Sequence, residues 1–313
     1  MLKLDLNLKE LKKILIKNKA KRFMLELPEG LKHKCLQIVD ELKDTKKEFV
    51  LNIDTTFGAC DIYENDLKKA DCQAIIHFGH TKFVLNKIKE RVIYWPCYYS
   101  FDIQDIEKTV KDIEKYFSKK KITIVGPIQY EKFILKIIKE LKRHKKLDII
   151  LGKQTNRLKT NQILGCDCSS IQNIINKLDT VIYLGDGNFH FNALQNTKAY
   201  KYNFKGQFEL IEDIKKPNYS ALFLEAKVIG IYVSSKLGQN RIKLAQELAQ
   251  KIKKIKKEPI LLYGNEINSN KLIGLGINFL INTACPRIFD DYKNYYFPII
   301  NYSEFLVLCK RHY

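Results

Sequence analysis

No run of apolar residues in this chain approaches the ~18 uncharged positions that a membrane-spanning helix requires. The opening MLKLDLNLKELKK alternates leucine with charge, where a secretory leader would carry an unbroken apolar core. A cytoplasmic protein without a membrane span is the expectation. Low-complexity tracts are missing, which argues against a chain dominated by disorder. A glycine-rich phosphate loop is missing too: GLG at 274–276 stands without the partners of a dinucleotide fingerprint. The eight cysteines follow no framework spacing, so reduced thiols or metal ligands explain them better than disulfides.

What is abundant is positive charge, a formal +20 from 55 basic and 35 acidic residues. Clustered cations suit phosphates, yet 48 of the 55 are lysine, in a chain heavy in isoleucine and asparagine, as an AT-rich coding genome gives. The run KIKKIKKE at 251–258 falls at the end of a helical pattern, where cations complement the dipole. With no recognisable nucleic-acid module, a solvated surface outweighs nucleic-acid binding, and an acidic protein partner stays open.

At 313 residues the chain exceeds one small core and suggests two domains or three small ones at about 150 residues per domain. Three times an apolar strand-like run leads through a short polar loop into a helical pattern: RFMLELPEGLKHKCLQIVDELK, KITIVGPIQYEKFILKIIKELK and KVIGIYVSSKLGQNRIKLAQELAQKIKK. Such alternation predicts an α/β fold of parallel sheets flanked by helices. The repeat has a register. Ile75 and Gly79 lie fifteen and nineteen residues after Cys60, and Val181 and Gly185 lie fifteen and nineteen after Cys166. Cys168 falls two residues out of that phase. A third, less regular copy sends GINFLINTACPRIFDD into a loop bearing Cys285, with YFPIINYSEF following. The expected units are 1–105 with Cys60, 106–200 with Cys166, and 201–313, a linker and third unit with Cys285, arranged about a pseudo-threefold axis. Residues 191–226 are read as a connection outside the repeat, and the first twenty as one amphipathic helix.

Function in open parallel sheets collects at the carboxyl ends of the strands. Three converging thiolates from Cys60, Cys166 and Cys285 would hold three irons of a [4Fe-4S] cluster and leave the fourth open to a small molecule. A three-cysteine zinc site fits the same spacing. Cys35, Cys72, Cys97 and Cys309 sit in apolar or helical contexts that suit core packing. In SSKLGQNR, Gly238 and the amides opening the next helix suit a carboxylate or phosphate, although an ordinary capped turn explains the same residues. Arg287, two residues past Cys285, suits a bidentate grip on a carboxylate or an ion pair with Asp290 or Asp291. His80 and Asp186 occupy matched positions just past their strands, and His80 suits proton carriage or a structural hydrogen bond.

The segments LPEGL at 27–31, DTTFGACDIY at 54–63, HFGHTKF at 77–83, LGC at 164–166, SSKLGQ at 234–239 and INTACPR at 281–287 together resemble the archaeal diphthamide-biosynthesis radical enzymes, in order along essentially the whole chain. The resemblance implies transfer of the 3-amino-3-carboxypropyl group of S-adenosylmethionine (SAM) to C2 of a histidine of translation elongation factor 2. It also implies a [4Fe-4S] cluster on Cys60, Cys166 and Cys285, a homodimer and an electron donor. Gly238, Gln239 and Arg287 are candidates for holding SAM, with Gln129, His80 and Asp186 as further ones. The usual radical-SAM pattern CxxxCxxC is absent, as the resemblance leads one to expect. A quinolinate-synthase-like cluster enzyme and a basic RNA-binding protein are the competing readings; TACPR and GACDIY favour the diphthamide one.

Overall fold

The computed structural model describes residues 3–83, 91–195, 197–211 and 217–312. The chain divides into two compact units, Met1–Ile214 and Lys215–Tyr313. The first holds two mainly parallel sheets and the second holds one. Among the described residues no helix is long and apolar enough to cross a membrane.

The opening residues are not one helix. A short strand β1 (Lys3–Asp5) precedes helix α1 (Leu8–Lys17) and is held antiparallel by β6 (Tyr98–Ser100). The first sheet then runs β2 (Arg22–Glu26), helix α2 (Cys35–Leu42), β3 (Glu48–Asn52), β4 (Ala74–Phe78) and β5 (Val92–Trp95), in spatial order β3-β2-β4-β5, all parallel. Successive strand residues point to opposite faces. Phe23, Leu25, Ile76 and Phe78 pack against Leu11 and Leu15 of α1 and Ile38 and Leu42 of α2. Met24 and Ile75, on the other face, pack against Ile62, Tyr63 and Leu67, the segment that follows Cys60. Fully burying such a side chain contributes about 1.5–3 kcal/mol, so this loop is fastened to the sheet by its own apolar residues.

The second sheet repeats the plan. Helix α3 (Ile103–Phe117) leads to β7 (Lys121–Val125), α4 (Glu131–His144), β8 (Asp148–Ile149), β9 (Thr180–Leu184) and β10 (Ala199–Tyr202), with an antiparallel β11 (Phe208–Leu210) at the edge. The order is β11-β10-β9-β7-β8. Val125, Val181 and Tyr183 face Ile163, Ile171 and Ile174, the segment around Cys166. The expected division at 200/201 cuts β10, which extends the second sheet parallel to β9; the first half of 191–226 therefore belongs to the repeat and is not a connection.

Helix α5 (Ser220–Glu225), β12 (Val228–Ser234), α6 (Ile242–Lys254), β13 (Glu258–Gly264), β14 (Phe279–Asn282), β15 (Ile299–Asn301) and α7 (Tyr302–His312) complete the third sheet, in order β13-β12-β14-β15. The register is common to all three sheets: Phe23 pairs with Ala74, Ile122 with Thr180 and Ile229 with Phe279, each the second residue of a first strand against the opening residue of a third.

Gly126, just past β7, shows how tightly the Cys166 segment docks. Its N–H donates to Asn161 O at 3.2 Å and its carbonyl accepts from Ile163 N at 3.0 Å. A Cβ there would stand 2.2 Å from the carbonyl oxygen of Leu184 and 2.8 Å from Ile134 Cδ1. Because the first obstacle is backbone, Gly126→Ala is expected to destabilise the first unit by about 3 kcal/mol or more, read as a shift of the urea unfolding midpoint.

Candidate functional site

Cys60 is half-buried in a turn between β3 and β4, closed by Asp61 N donating to Gly58 O at 2.9 Å. Cys166 is exposed at the tip of a two-residue turn, where Leu164 and Asp167 exchange backbone hydrogen bonds of 2.8 and 3.1 Å. Gly165 beside it lies under the Phe189 ring, which any Cβ would overlap. The two cysteines are topologically equivalent: Ala74 and Thr180 open the third strands fourteen residues beyond each. Cys168 is turned differently, packing against the apolar cluster of Val181 and Tyr183, and burial raises its thiol pKa.

Cys285 does not occupy the third copy of that position. It follows β14, a third strand, whereas Cys60 and Cys166 precede theirs. The loop that corresponds to theirs, 265–278, carries no cysteine. The expected spacing nevertheless holds, since Ile299 opens β15 fourteen residues past Cys285; it was counted to the fourth strand of the sheet instead of the third. By pairing register the counterparts of Cys285 are His80 and Asp186.

Each of these three residues is braced by the polar residue three positions earlier, inside its strand. His77 Nε2 meets His80 Nδ1 at 3.0 Å, Tyr183 donates its hydroxyl to the Asp186 carbonyl at 3.3 Å, and Asn282 Nδ2 donates to the Cys285 carbonyl at 2.8 Å. Asn282 also accepts from Ala284 N at 2.9 Å and donates to Asn301 Oδ1 at 2.7 Å, while Asn301 Nδ2 donates to Pro286 O at 3.1 Å. Two buried asparagines thus hold the Cys285 loop. Burial pushes the Cys285 thiol up, and Arg287, through its backbone N–H and its charge, draws it down, aided by Lys236 and opposed by Asp290. Lys236 is itself buried, with Nζ 3.7 Å from Glu266 Oε1.

The first unit holds three other candidates, each in a hydrogen bond of its own or of a chain neighbour. Gln129 Nε2 donates to the Gly79 carbonyl at 2.6 Å, next to His80, and Tyr130 donates its hydroxyl to Asp186 Oδ2 at 2.5 Å. Gly238, Gln239 and Arg287 lie in the second unit. Gly238 sits in a turn ahead of α6 rather than in its first helical turn, and the amides of Gln239 and Asn240 both donate to Lys236 O at 2.9 Å. These two amides are therefore engaged within the turn ahead of the helix. Arg287 is exposed. Of the cysteines read as packing residues, Cys72 and Cys97 are buried and Cys35 and Cys309 half-buried; burial raises all four thiols, Cys97 to about 12.

The sequence reading missed Glu26 and His77. Both are fully buried in adjacent strands, with His77 Nδ1 2.7 Å from Glu26 Oε2, and Tyr63 N donates to Glu26 Oε1 at 2.8 Å. Burial raises the Glu26 carboxyl to about 8 and lowers both imidazoles to about 3; the Tyr63 amide acts against the shift of Glu26. The available signal was a carboxylate and an imidazole inside runs otherwise apolar enough to be buried on both faces. Among the described residues, no three His, Cys, Asp or Glu side chains stand gathered as a metal-binding group.

The family model for diphthamide synthesis proteins matches residues 27–313. The chain belongs to this family. It is 27% identical to the 2-(3-amino-3-carboxypropyl)histidine synthase of Pyrococcus horikoshii, over 96% of this chain and 88% of that one. It is also 27% identical to the enzyme of the same name from Methanocaldococcus jannaschii, over 92% and 84%. The crystal structure of Dph2 from Pyrococcus horikoshii superposes with a TM-score of 0.87 at 25% identity, covering 100% of this chain and 93% of that one. A second structure of that protein, with a 4Fe-4S cluster, gives 0.86 and covers 92% of its chain. These matches bear out the expected diphthamide family, the α/β fold of parallel sheets and an enzyme of the group-transfer class. Within the diphthamide synthesis fold, the candidate residues fall in three loop sets, those after the first strands (Gln129, Gly238, Gln239), after the second (Cys60, Cys166) and after the third (His80, Asp186, Cys285, Arg287).

Proposed function

We propose that this chain transfers the 3-amino-3-carboxypropyl group of SAM to C2 of a histidine of translation elongation factor 2, the first step of diphthamide formation, as a homodimer supplied by an electron donor. One observation carries the reading: three cysteines in strand-following loops, in a chain alike over its length to synthases named for that product. Thiol donors at Cys60, Cys166 and Cys285 suit a [4Fe-4S] cluster with one iron left open. Bound there, the cluster supplies the single electron that breaks a C–S bond of the sulfonium.

The chain's own residues aim that chemistry. The exposed guanidinium of Arg287 offers a two-pronged grip for the SAM carboxylate. Gln239 and Gly238 shape the adjoining turn. Lys236 places a buried positive charge toward Cys285 and favours its thiolate. Gln129 fixes the Gly79 carbonyl and so the entry to His80, and Tyr130 fixes the Asp186 carboxylate.

The test is anaerobic purification, iron analysis and incubation with SAM, a strong reductant and elongation factor 2. Methylthioadenosine together with a mass gain on one histidine of the factor is expected. 5′-Deoxyadenosine alone would sink the proposed bond selectivity, and a colourless, iron-free protein whose RNA binding falls steeply with salt would replace the reading altogether.

A further inference from the structure

Glu26, His77 and His80 form a line of ionisable groups running from the interior of the first sheet to the carboxyl end of β4. The two inner members are fully buried and His80 is half-buried. The contacts along it, 2.7 and 3.0 Å, each require one proton between two heteroatoms. Only two neutral-imidazole arrangements satisfy both at once. With Glu26 ionised, His77 donates from Nδ1 to Glu26 and His80 donates from Nδ1 to His77, leaving His80 Nε2 as a lone-pair acceptor. With Glu26 protonated, every donor reverses and His80 Nε2 carries hydrogen.

The two arrangements differ by one proton. We propose that the line is a proton acceptor for the transfer reaction: a proton taken at His80 Nε2 ends on Glu26, and neither imidazole becomes a cation. The protons balance. His80 gains one at Nε2 and gives its Nδ1 proton to His77 Nε2; His77 gives its Nδ1 proton to Glu26 Oε2. This rests on the function proposed above, in which a carbon replaces the hydrogen on C2 of the target imidazole. The sulfonium then leaves as a neutral thioether, so the replaced hydrogen leaves as a proton, with no net oxidation.

Burial favours holding the proton on Glu26, and the Tyr63 N–H, which steadies the carboxylate, acts against it; at His80 burial outweighs the Phe78 carbonyl, which favours the charged ring. From β5, Tyr94 places its ring 5.6 Å from that of His77, and its buried hydroxyl has no hydrogen-bond partner. Glu26 and Glu64 both hold that phenol in its neutral form, as burial does first. A fully buried imidazolium carries a large desolvation cost, and the line avoids making one.

Infrared and 15N-histidine spectra of the full-length, anaerobically purified protein test this as pH is raised. The expected result is loss of one protonated-carboxyl band near pH 8, where burial places Glu26, in step with a tautomer change at two histidines. Glu26→Gln should abolish both, because its amide donates permanently to His77. The same variant should slow modification of the elongation factor by about 100-fold and flatten its pH profile. Tautomers that do not follow the carboxyl, or Glu26→Gln transferring at the wild-type rate across the pH range, would overturn the proposal. The spectra need no turnover: a coupled transition in a protein that never yields methylthioadenosine leaves the proton line standing and removes the transfer reading with its proton role.

Discussion

Serine in place of Cys60, Cys166 or Cys285, one at a time, is expected to strip the purified protein of most of its iron and to lower transfer by at least ~100-fold, whereas Cys168→Ser should keep both. Each of the three removes a thiol from a strand-following loop. Cys168 differs although it is two residues from Cys166: its side chain packs against the cluster of Val181 and Tyr183, and it falls outside the register that Cys60 and Cys166 share. Iron per chain and the visible absorption of the cluster decide the matter before any activity is measured. Iron lost from Cys168→Ser but kept by Cys166→Ser would mean that the repeat register has been read two residues out.

The stability of Glu26→Gln relative to the wild type should rise as pH goes from 4.5 to about 8 and level off above. The folded carboxyl is raised from its ordinary 4.5 to about 8. Below 4.5 both folded and unfolded chains hold the proton. Between 4.5 and about 8 the unfolded chain releases it and the folded chain keeps it, so this group's stabilisation is lost across that window, at ~1.4 kcal/mol per pH unit. The whole window amounts to about 5 kcal/mol. His77 and His80 act from the other side: lowered from 6.5 to about 3, they stay neutral in the fold while the unfolded chain charges, and stability falls as pH drops through that range. The line's own contribution therefore peaks near 6.5, the upper end of the histidine window. Urea midpoints of wild type and variant, compared from acid to alkaline pH, check this. Parallel curves would show that Glu26 keeps its ordinary carboxyl pKa in the fold.

The three strand–loop–helix runs and the equivalence of Cys60 with Cys166 were legible in the sequence because two whole segments, loop and strand together, keep one length. The place of Cys285 was not, because a fourteen-residue interval to the next strand is the same number whichever strand comes next; only the pairing of β14 with β12 and β15 identifies it. Glu26 and His77 were passed over for a related reason. In RFMLE and AIIHF, apolar content decides the reading as buried strand, and a single polar residue looks like tolerance. The partner lies fifty-one residues away on a neighbouring strand, where periodicity has no reach. Asn282 and Asn301 likewise meet only once β14 and β15 lie side by side.

His77, Tyr183 and Asn282 make one joint in triplicate, each steadying the residue two or three positions beyond its strand. What the joint carries differs each time: an imidazole, a carboxylate, a thiol. Mount and tool are thus separable. At 186 and 285 the brace holds the backbone carbonyl, so a new side chain can be installed there without rebuilding the strand beneath it, whereas at 80 the imidazole is itself half of the joint.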